Sequence, residues 1–376
     1  MRSRLVAAVL VFVAGEFLAV PTQAQEGKEW GYDKGFYFRT PQFELRISAR
    51  TQFRYTFTDF SESSTNSDRG EFSIPTARLR LDGYAYYPWL KYKVQYDFTG
   101  QSYVVATSPA VERLRGPDLR DLYLDITRNP WTSVRLGQFK VPFGQQLLTS
   151  SGDQEFVDRS IASLLFATVE GDRQVGAMLW GTSLKKMFGY EVGLFNGNTR
   201  NNLTNDNPGY LSAVRIHFDP SGEFKLSESA MDHPQALLYT VGAAFIHNAR
   251  DAEAELARNS AEAFFSLKYK RLFVLADGYV RSVEQATAPD VDSEGTIGQV
   301  GYFLFPGKIE VALRYSQVDS NSDLPDTTST ESRIGFSWYF RKHDLKFQAD
   351  YGRIEDESTS LDRDTDVFRA QLQIIF

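Results

Sequence analysis

The chain has 376 residues, 42% hydrophobic and 14% aromatic, with a formal net charge of −7. Having no cysteine, it can hold no disulfide, thiol nucleophile or cysteine metal site. The acidic balance gives nucleic-acid binding no support, and beyond the N-terminal stretch no apolar run approaches the ~20 residues of a membrane helix.

Arg2 and Arg4 precede a largely apolar run over residues 5–20, interrupted by Glu16, and Thr22-Gln23-Ala24 offers a small-residue cleavage site before Gln25. Residues 1–24 therefore read as a signal peptide and residues 25–376 as one domain. An N-terminal membrane anchor is the alternative reading of the same run. Removing the leader leaves 39 basic and 47 acidic residues, a net of −8.

Residues 25–40 form a short lead-in rich in Gly and aromatics. Residues 42–59 then alternate strictly. Phe43, Leu45, Ile47, Ala49, Phe53 and Phe57 fall on one side, and Glu44, Arg46, Arg50, Gln52 and Arg54 on the other. That is a strand with one apolar and one polar face, longer than a usual globular strand. Residues 76–86, 90–99, 332–340, 345–351 and 363–376 repeat the pattern, whereas residues 271–281 alternate poorly. Tight connections (Tyr87-Pro88, Asn129-Pro130, Phe305-Pro306-Gly307, Lys342-His343) largely alternate with long polar ones, at 61–70, 100–117, 141–172, 196–209, 248–259, 284–294, 319–330 and 355–362. Residues 219–234 break the rule, being long where a short turn belongs. Eight long loops between hairpins predict about 16 strands, with both termini on the side of the short turns.

The polar faces carry long charged side chains, which a water-filled lumen accepts, while lipid accepts the apolar faces. The fold predicted is all-β, a transmembrane antiparallel β-barrel. A soluble β-sandwich also alternates, but it does not account for the leader or the strand lengths. Tyr86, Tyr87, Trp89, Trp131 and Trp338 suit interfacial girdles. Residues 141–172 mix apolar side chains such as Phe143, Leu147, Phe156, Ile161, Leu164 and Leu165 with Asp153, Glu155, Asp158 and Arg159. A segment that long without strand pattern, and not disorder-like in composition, is expected to be functional. It is expected to fold back into the lumen and narrow it.

Several runs together resemble the phosphate-selective porin O/P family. They are Gly31-Tyr32-Asp33-Lys34-Gly35-Phe36, Leu79-Arg80-Leu81-Asp82-Gly83 leading to Lys91-Tyr92-Lys93-Val94-Gln95-Tyr96-Asp97-Phe98, and Arg135-Leu136-Gly137-Gln138-Phe139-Lys140-Val141-Pro142-Phe143-Gly144 followed by Asp158-Arg159-Ser160. The terminal Phe376 resembles an outer-membrane assembly signal. The resemblance implies a homotrimer of 16-stranded barrels in the bacterial outer membrane, set in lipid and lipopolysaccharide, with the third extracellular loop folded inward. It implies passive diffusion of small inorganic anions such as phosphate or pyrophosphate past Arg and Lys, with no catalysis and no cofactor. Carried onto this chain, the pore-lining and anion-binding candidates are Arg46, Arg50, Arg54, Arg78, Arg80, Lys91, Lys93, Arg135, Lys140 and Arg159. A guanidinium row suits phosphate because its forked donors match the anion's oxygens. The competing reading is that Glu44, Asp82, Asp97, Asp121 and Asp125 also face inward and cancel the row, leaving a non-selective small-solute porin.

Other chemistries are weaker. Asp362, Asp364 and Asp366 lack the Gly and Glu of a Ca²⁺ loop and read as a solvated acidic loop. His217, His233, His247 and His343 sit in no Ser–His–Asp or zinc motif; an outer-membrane barrel hydrolase would need one of them beside a serine. A structural barrel with a plugged lumen is the remaining alternative.

Overall fold

A computed structural model describes residues 29–60, 67–99, 117–167, 172–198, 200–202, 204–205, 209–250, 255–357 and 364–376. The leader expected over residues 1–24 and Asp362 of the acidic loop lie outside these residues. One antiparallel sheet of 18 strands forms the fold. Two are short, β1 (Glu29–Tyr32) and β2 (Phe36–Thr40). The other sixteen are β3 (Phe43–Phe60), β4 (Arg69–Ala85), β5 (Tyr87–Asp97), β6 (Asp118–Asn129), β7 (Thr132–Lys140), β8 (Arg173–Ser183), β9 (Phe188–Phe195), β10 (Leu211–Phe218), β11 (Leu238–Ala249), β12 (Glu255–Tyr269), β13 (Leu272–Gln285), β14 (Val291–Phe305), β15 (Ile309–Asp319), β16 (Thr328–Arg341), β17 (Leu345–Asp356) and β18 (Thr365–Ile375). Each pairs with the next, and β18 returns to β3 through Thr365↔Phe60 and Ile375↔Arg50, closing these sixteen strands into a barrel.

The lead-in is therefore structured. β1 and β2 form a hairpin, and β2 pairs with Phe43–Ile47 of β3 just beyond the point where β18 ends. The backbone N–H of Phe376 donates to the carbonyl of Ala49, and the N–H of Ala49 to the carbonyl of Phe376, at 2.9 and 2.6 Å, which ties the last residue into that junction.

The two faces of the sheet differ in the sense the pattern requires. On β16, Ile334, Phe336, Trp338 and Phe340 are exposed while Glu331, Arg333 and Ser337 are buried. On β17 the buried residues are Lys346, Gln348 and Asp350, with Tyr351 exposed. The apolar face is thus the outer one, as in a barrel that meets hydrocarbon outside.

Three expectations need correction. The strand β13 is regular although its sequence alternates poorly. Its covered face carries Phe273, Leu275 and Tyr279, so both faces are apolar and the period-2 contrast vanishes. The long loop expected over residues 248–259 is mostly strand, with Asn248 opposite Arg258 and Ala249 opposite Ala257. Polar residues on both faces there hid the strand. Pro88 lies within β5, and the tight turn sits one step earlier, at Tyr86 with φ 64°.

A hydrophobic cluster occupies the covered face of the sheet. Phe139, Val141, Phe143, Leu147, Phe166, Phe195, Ile246, Leu275 and Tyr279 contribute, together with Phe224 from the β10–β11 connection. The barrel therefore has a core made of loop against wall, over part of its circumference only.

Candidate functional site

Two segments cover that wall. The β7–β8 connection, described over residues 141–167, contains a short helix α1 (Gln145–Leu148) and a π-helical turn (Ser163–Ala167). Its backbone is held by side chains of the strands. Glu262 of β12 accepts the N–H groups of Gly144 and Gln145 at 2.8 and 2.6 Å. Arg281 of β13 donates to the carbonyls of Leu165 and Phe166, both at 2.9 Å. Arg314 of β15 donates to the Asp158 carbonyl at 2.9 Å, and Asp350 of β17 accepts the N–H of Val157 at 2.9 Å. Phe166 stacks on Tyr279 with ring centroids 5.5 Å apart. Two glycines of the wall make room for this segment: a Cβ on Gly301 would stand 1.7 Å from the Glu155 carboxylate, and one on Gly335 would stand 2.8 Å from the Phe156 ring.

The second segment is the anomalous stretch after β10. Asp219 accepts the N–H of Phe224 at 2.8 Å. The N–H of Glu228 donates to the Asp153 carbonyl at 2.9 Å, and Gln299 donates to both Glu228 and Glu155 at 2.9 and 2.8 Å. Its length lets it meet the β7–β8 connection.

What is left open is a cavity of about 2230 Å³ that runs beside strands β3–β8. Among the described residues eleven cations line it, including Arg50, Arg54, Arg78, Arg80, Lys93, Arg135, Lys140 and Arg159, against seven acids, with Asp82, Asp97 and Asp125 standing behind Arg80, Arg78 and Arg135 as their partners. Arg46 and Lys91 do not line it. Arg46 lies 3.7 Å from Glu44, and Lys91 is exposed opposite Asp125.

Most of the cations are paired. Arg78 lies 2.6 Å from Asp97, Arg80 2.6 Å from Asp82, Lys93 2.7 Å from Asp121 and Arg135 2.7 Å from Asp125. Arg54 lies 3.2 Å from Asp158. Burial disfavours the Asp158 charge, but Arg54 and Arg369 outweigh it and hold the carboxyl down at about 2. Lys140 donates to the carbonyls of Leu147 and Leu148 at 2.5 and 3.1 Å, where α1 ends, and Arg159 to the carbonyls of Gln146 and Thr149 at 3.3 and 3.1 Å. Both shape the loop. Arg50 differs. It has no carboxylate within ion-pair distance among the described residues, and it donates instead to the hydroxyls of Ser150 and Ser151 at 3.1 and 2.9 Å. Ser151 also accepts from Arg78 at 3.3 Å.

Sequence reasoning missed Arg120 and Arg173, which line the same cavity. Arg120 and Asp121 are neighbours in sequence yet both buried, because a register shift between Gln95 and Tyr96 puts two consecutive residues of β6 on one face. No alternation rule finds that. The four histidines are dispersed: His217 on β10, His247 on β11, His233 in the second segment and His343 in the β16–β17 turn.

Residues 47–376 match the family described as phosphate-selective porin O and P. An uncharacterised protein of Aquifex aeolicus (strain VF5) is 24% identical over 372 residues, covering 88% of this chain and 87% of its own length. Among solved structures, an anion-selective porin from Comamonas acidovorans superposes with a TM-score of 0.63 at 12% identity, over 89% of this chain and 100% of that one. The outer membrane channel DcaP of Acinetobacter baumannii gives 0.59 at 14% identity, over 89% and 98%. Those likenesses carry the fold: an outer-membrane barrel of the porin type. With the family match covering most of its length, the chain belongs to the phosphate-selective porin O and P family.

Proposed function

We propose that this porin passes small anions by diffusion, inorganic phosphate and pyrophosphate among them, along the basic wall of β3–β8. Residues 141–167, folded into the barrel, narrow it, because contacts from one segment to β12, β13, β15 and β17 need the interior of a closed cylinder. The observation that carries the reading is Arg50. Its guanidinium faces the cavity among other basic side chains and is held by two hydroxyls instead of an acid. A forked donor left without a carboxylate is available to an anion's oxygens, and fixed cations lining a pore favour anions. The same family points to a homotrimer set in outer-membrane lipid and lipopolysaccharide, exported by the leader at residues 1–24.

The reversal potential of the purified protein in a planar bilayer under a KCl gradient tests this, with a sign showing chloride preferred over potassium expected. A value near zero favours the second reading, a non-selective small-solute porin. The ion pairs of Arg54, Arg78, Lys93 and Arg135 with acids are what support that reading.

A further inference from the structure

Part of the wall that the β7–β8 connection gives to the cavity is apolar, beside the polar stretch of Ser150, Ser151 and Asp158. The last turn of the β7–β8 connection has Ala162, Ser163, Phe166 and Ala167 buried against the strands, and the backbone N–H groups of Ile161 and Ala162 donate to Glu331 and Ser316 at 3.1 and 3.3 Å. The same turn carries Ile161, Leu164 and Leu165, of which Ile161 and Leu165 pack on one side against the hydrophobic cluster. All three are only partly buried, and all three line the cavity. With the segment fastened to β12–β17, these aliphatic side chains border the same open space as the guanidinium groups of β3–β8.

An inorganic anion gains from the cations but nothing from such a wall, which cannot replace its water. An anion with a carboxylate at one end and an apolar body at the other satisfies both sides. Small-molecule sites have this composition, mostly apolar with a few placed polar groups. On the cation side, Arg135 lies 4.2 Å from the Tyr123 ring centroid and 5.4 Å from that of Phe139, and both aromatics line the cavity. That adds a flat surface beside a positive charge.

Resting on the reading of the barrel as an anion channel, we infer that its preferred solutes are small organic anions with an aliphatic or aromatic body, held between Ile161/Leu164/Leu165 and the basic wall. The probes are acetate and benzoate, each added to full-length protein in a planar bilayer carrying chloride current. Benzoate is expected to half-block that current at a concentration roughly tenfold below acetate, as expected for a few tens of Å² of apolar surface leaving water. In Leu164→Asn/Leu165→Asn the acetate-to-benzoate ratio should fall close to one. Equal block by benzoate and acetate in the unaltered protein overturns the inference, as does a ratio that the double substitution leaves unchanged. Chloride preference with no benzoate advantage removes this inference alone. A potassium preference in the KCl gradient removes the anion reading and this inference together.

Discussion

At the scale of single residues, charge pairing decides which cations matter. Arg46 and Arg50 are four residues apart on β3, about 13 Å along the strand. One faces its own Glu44 outside the cavity, and the other lines it with no carboxylate within ion-pair distance among the described residues. A unit charge at ~4 Å in water is worth about 1 kcal/mol, so Arg50→Ala should cut the chloride-to-potassium permeability ratio by roughly fivefold at low salt. Arg46→Ala should change it far less. Asp158 works in the other direction, by occupying Arg54 and Arg369 at 3.2 and 3.5 Å. Asp158→Asn should therefore raise anion preference at neutral pH. The sign with pH follows from its depressed pKa: the carboxylate persists in the folded protein down to about 2, so the unaltered protein should gain the same preference only in strong acid. Reversal potentials of the two proteins should converge there. Failure of D158N to exceed the unaltered protein at pH 7 would contradict this role for Asp158.

At the scale of the element, the β7–β8 connection behaves as a core component. Phe166→Ala removes a fully buried ring stacked on Tyr279 and should cost about 3–5 kcal/mol, detaching the turn from the wall. Single-channel conductance should rise and become noisy as the turn moves. The joint between this segment and the one after β10 is acidic. Burial raises the Glu155 carboxyl well above the ordinary range, and Glu310 and Glu228 add to the rise. Tyr339 faces Glu310, Gln299 faces Glu155, and Lys268 and Lys346 flank the group. A carboxyl whose folded pKa is raised contributes stability that is present below its unfolded value of ~4.3 and is lost as pH rises through the folded one. The melting temperature should therefore fall from mildly acidic to alkaline pH, and Glu155→Gln should flatten that fall. An unchanged slope in E155Q would show that the titrating group lies elsewhere.

At the scale of the whole molecule, the barrel is divided into a packed part and an open part. The wall of β12–β17 is covered by the β7–β8 and β10–β11 connections, while β3–β8 border open space. That division governs what the sequence could reveal. The strands β3, β4, β5, β16, β17 and β18 were legible because water or polar partners on one face and hydrocarbon on the other enforce strict alternation. Where the loop replaces water, as at Phe273, Leu275 and Tyr279, alternation fades and the strand is hard to see. The expectation that residues 141–172 do structural work came from their apolar content, and over residues 141–167 the contacts of Glu262 and Arg281 fasten that stretch to the strands. The candidate site was legible in part. Alternation places Arg50, Arg54 and Arg78 on the polar face, but it cannot tell a cation held by Asp97 from one held by Ser150. Arg120 and Arg173 depend on a register shift and on a loop end, neither of which leaves a periodic trace.

The chain's lack of cysteine makes one measurement direct. Single cysteines can be placed in the open space and on the outer face, then exposed to a charged, membrane-impermeant methanethiosulfonate while current is recorded. A negative reagent at Ser151→Cys should attach beside Arg50 and reduce chloride current, whereas Ile334→Cys, on the outer apolar face, should leave it unchanged. Current reduced at Ile334→Cys and untouched at Ser151→Cys would contradict a water-filled, cation-lined interior.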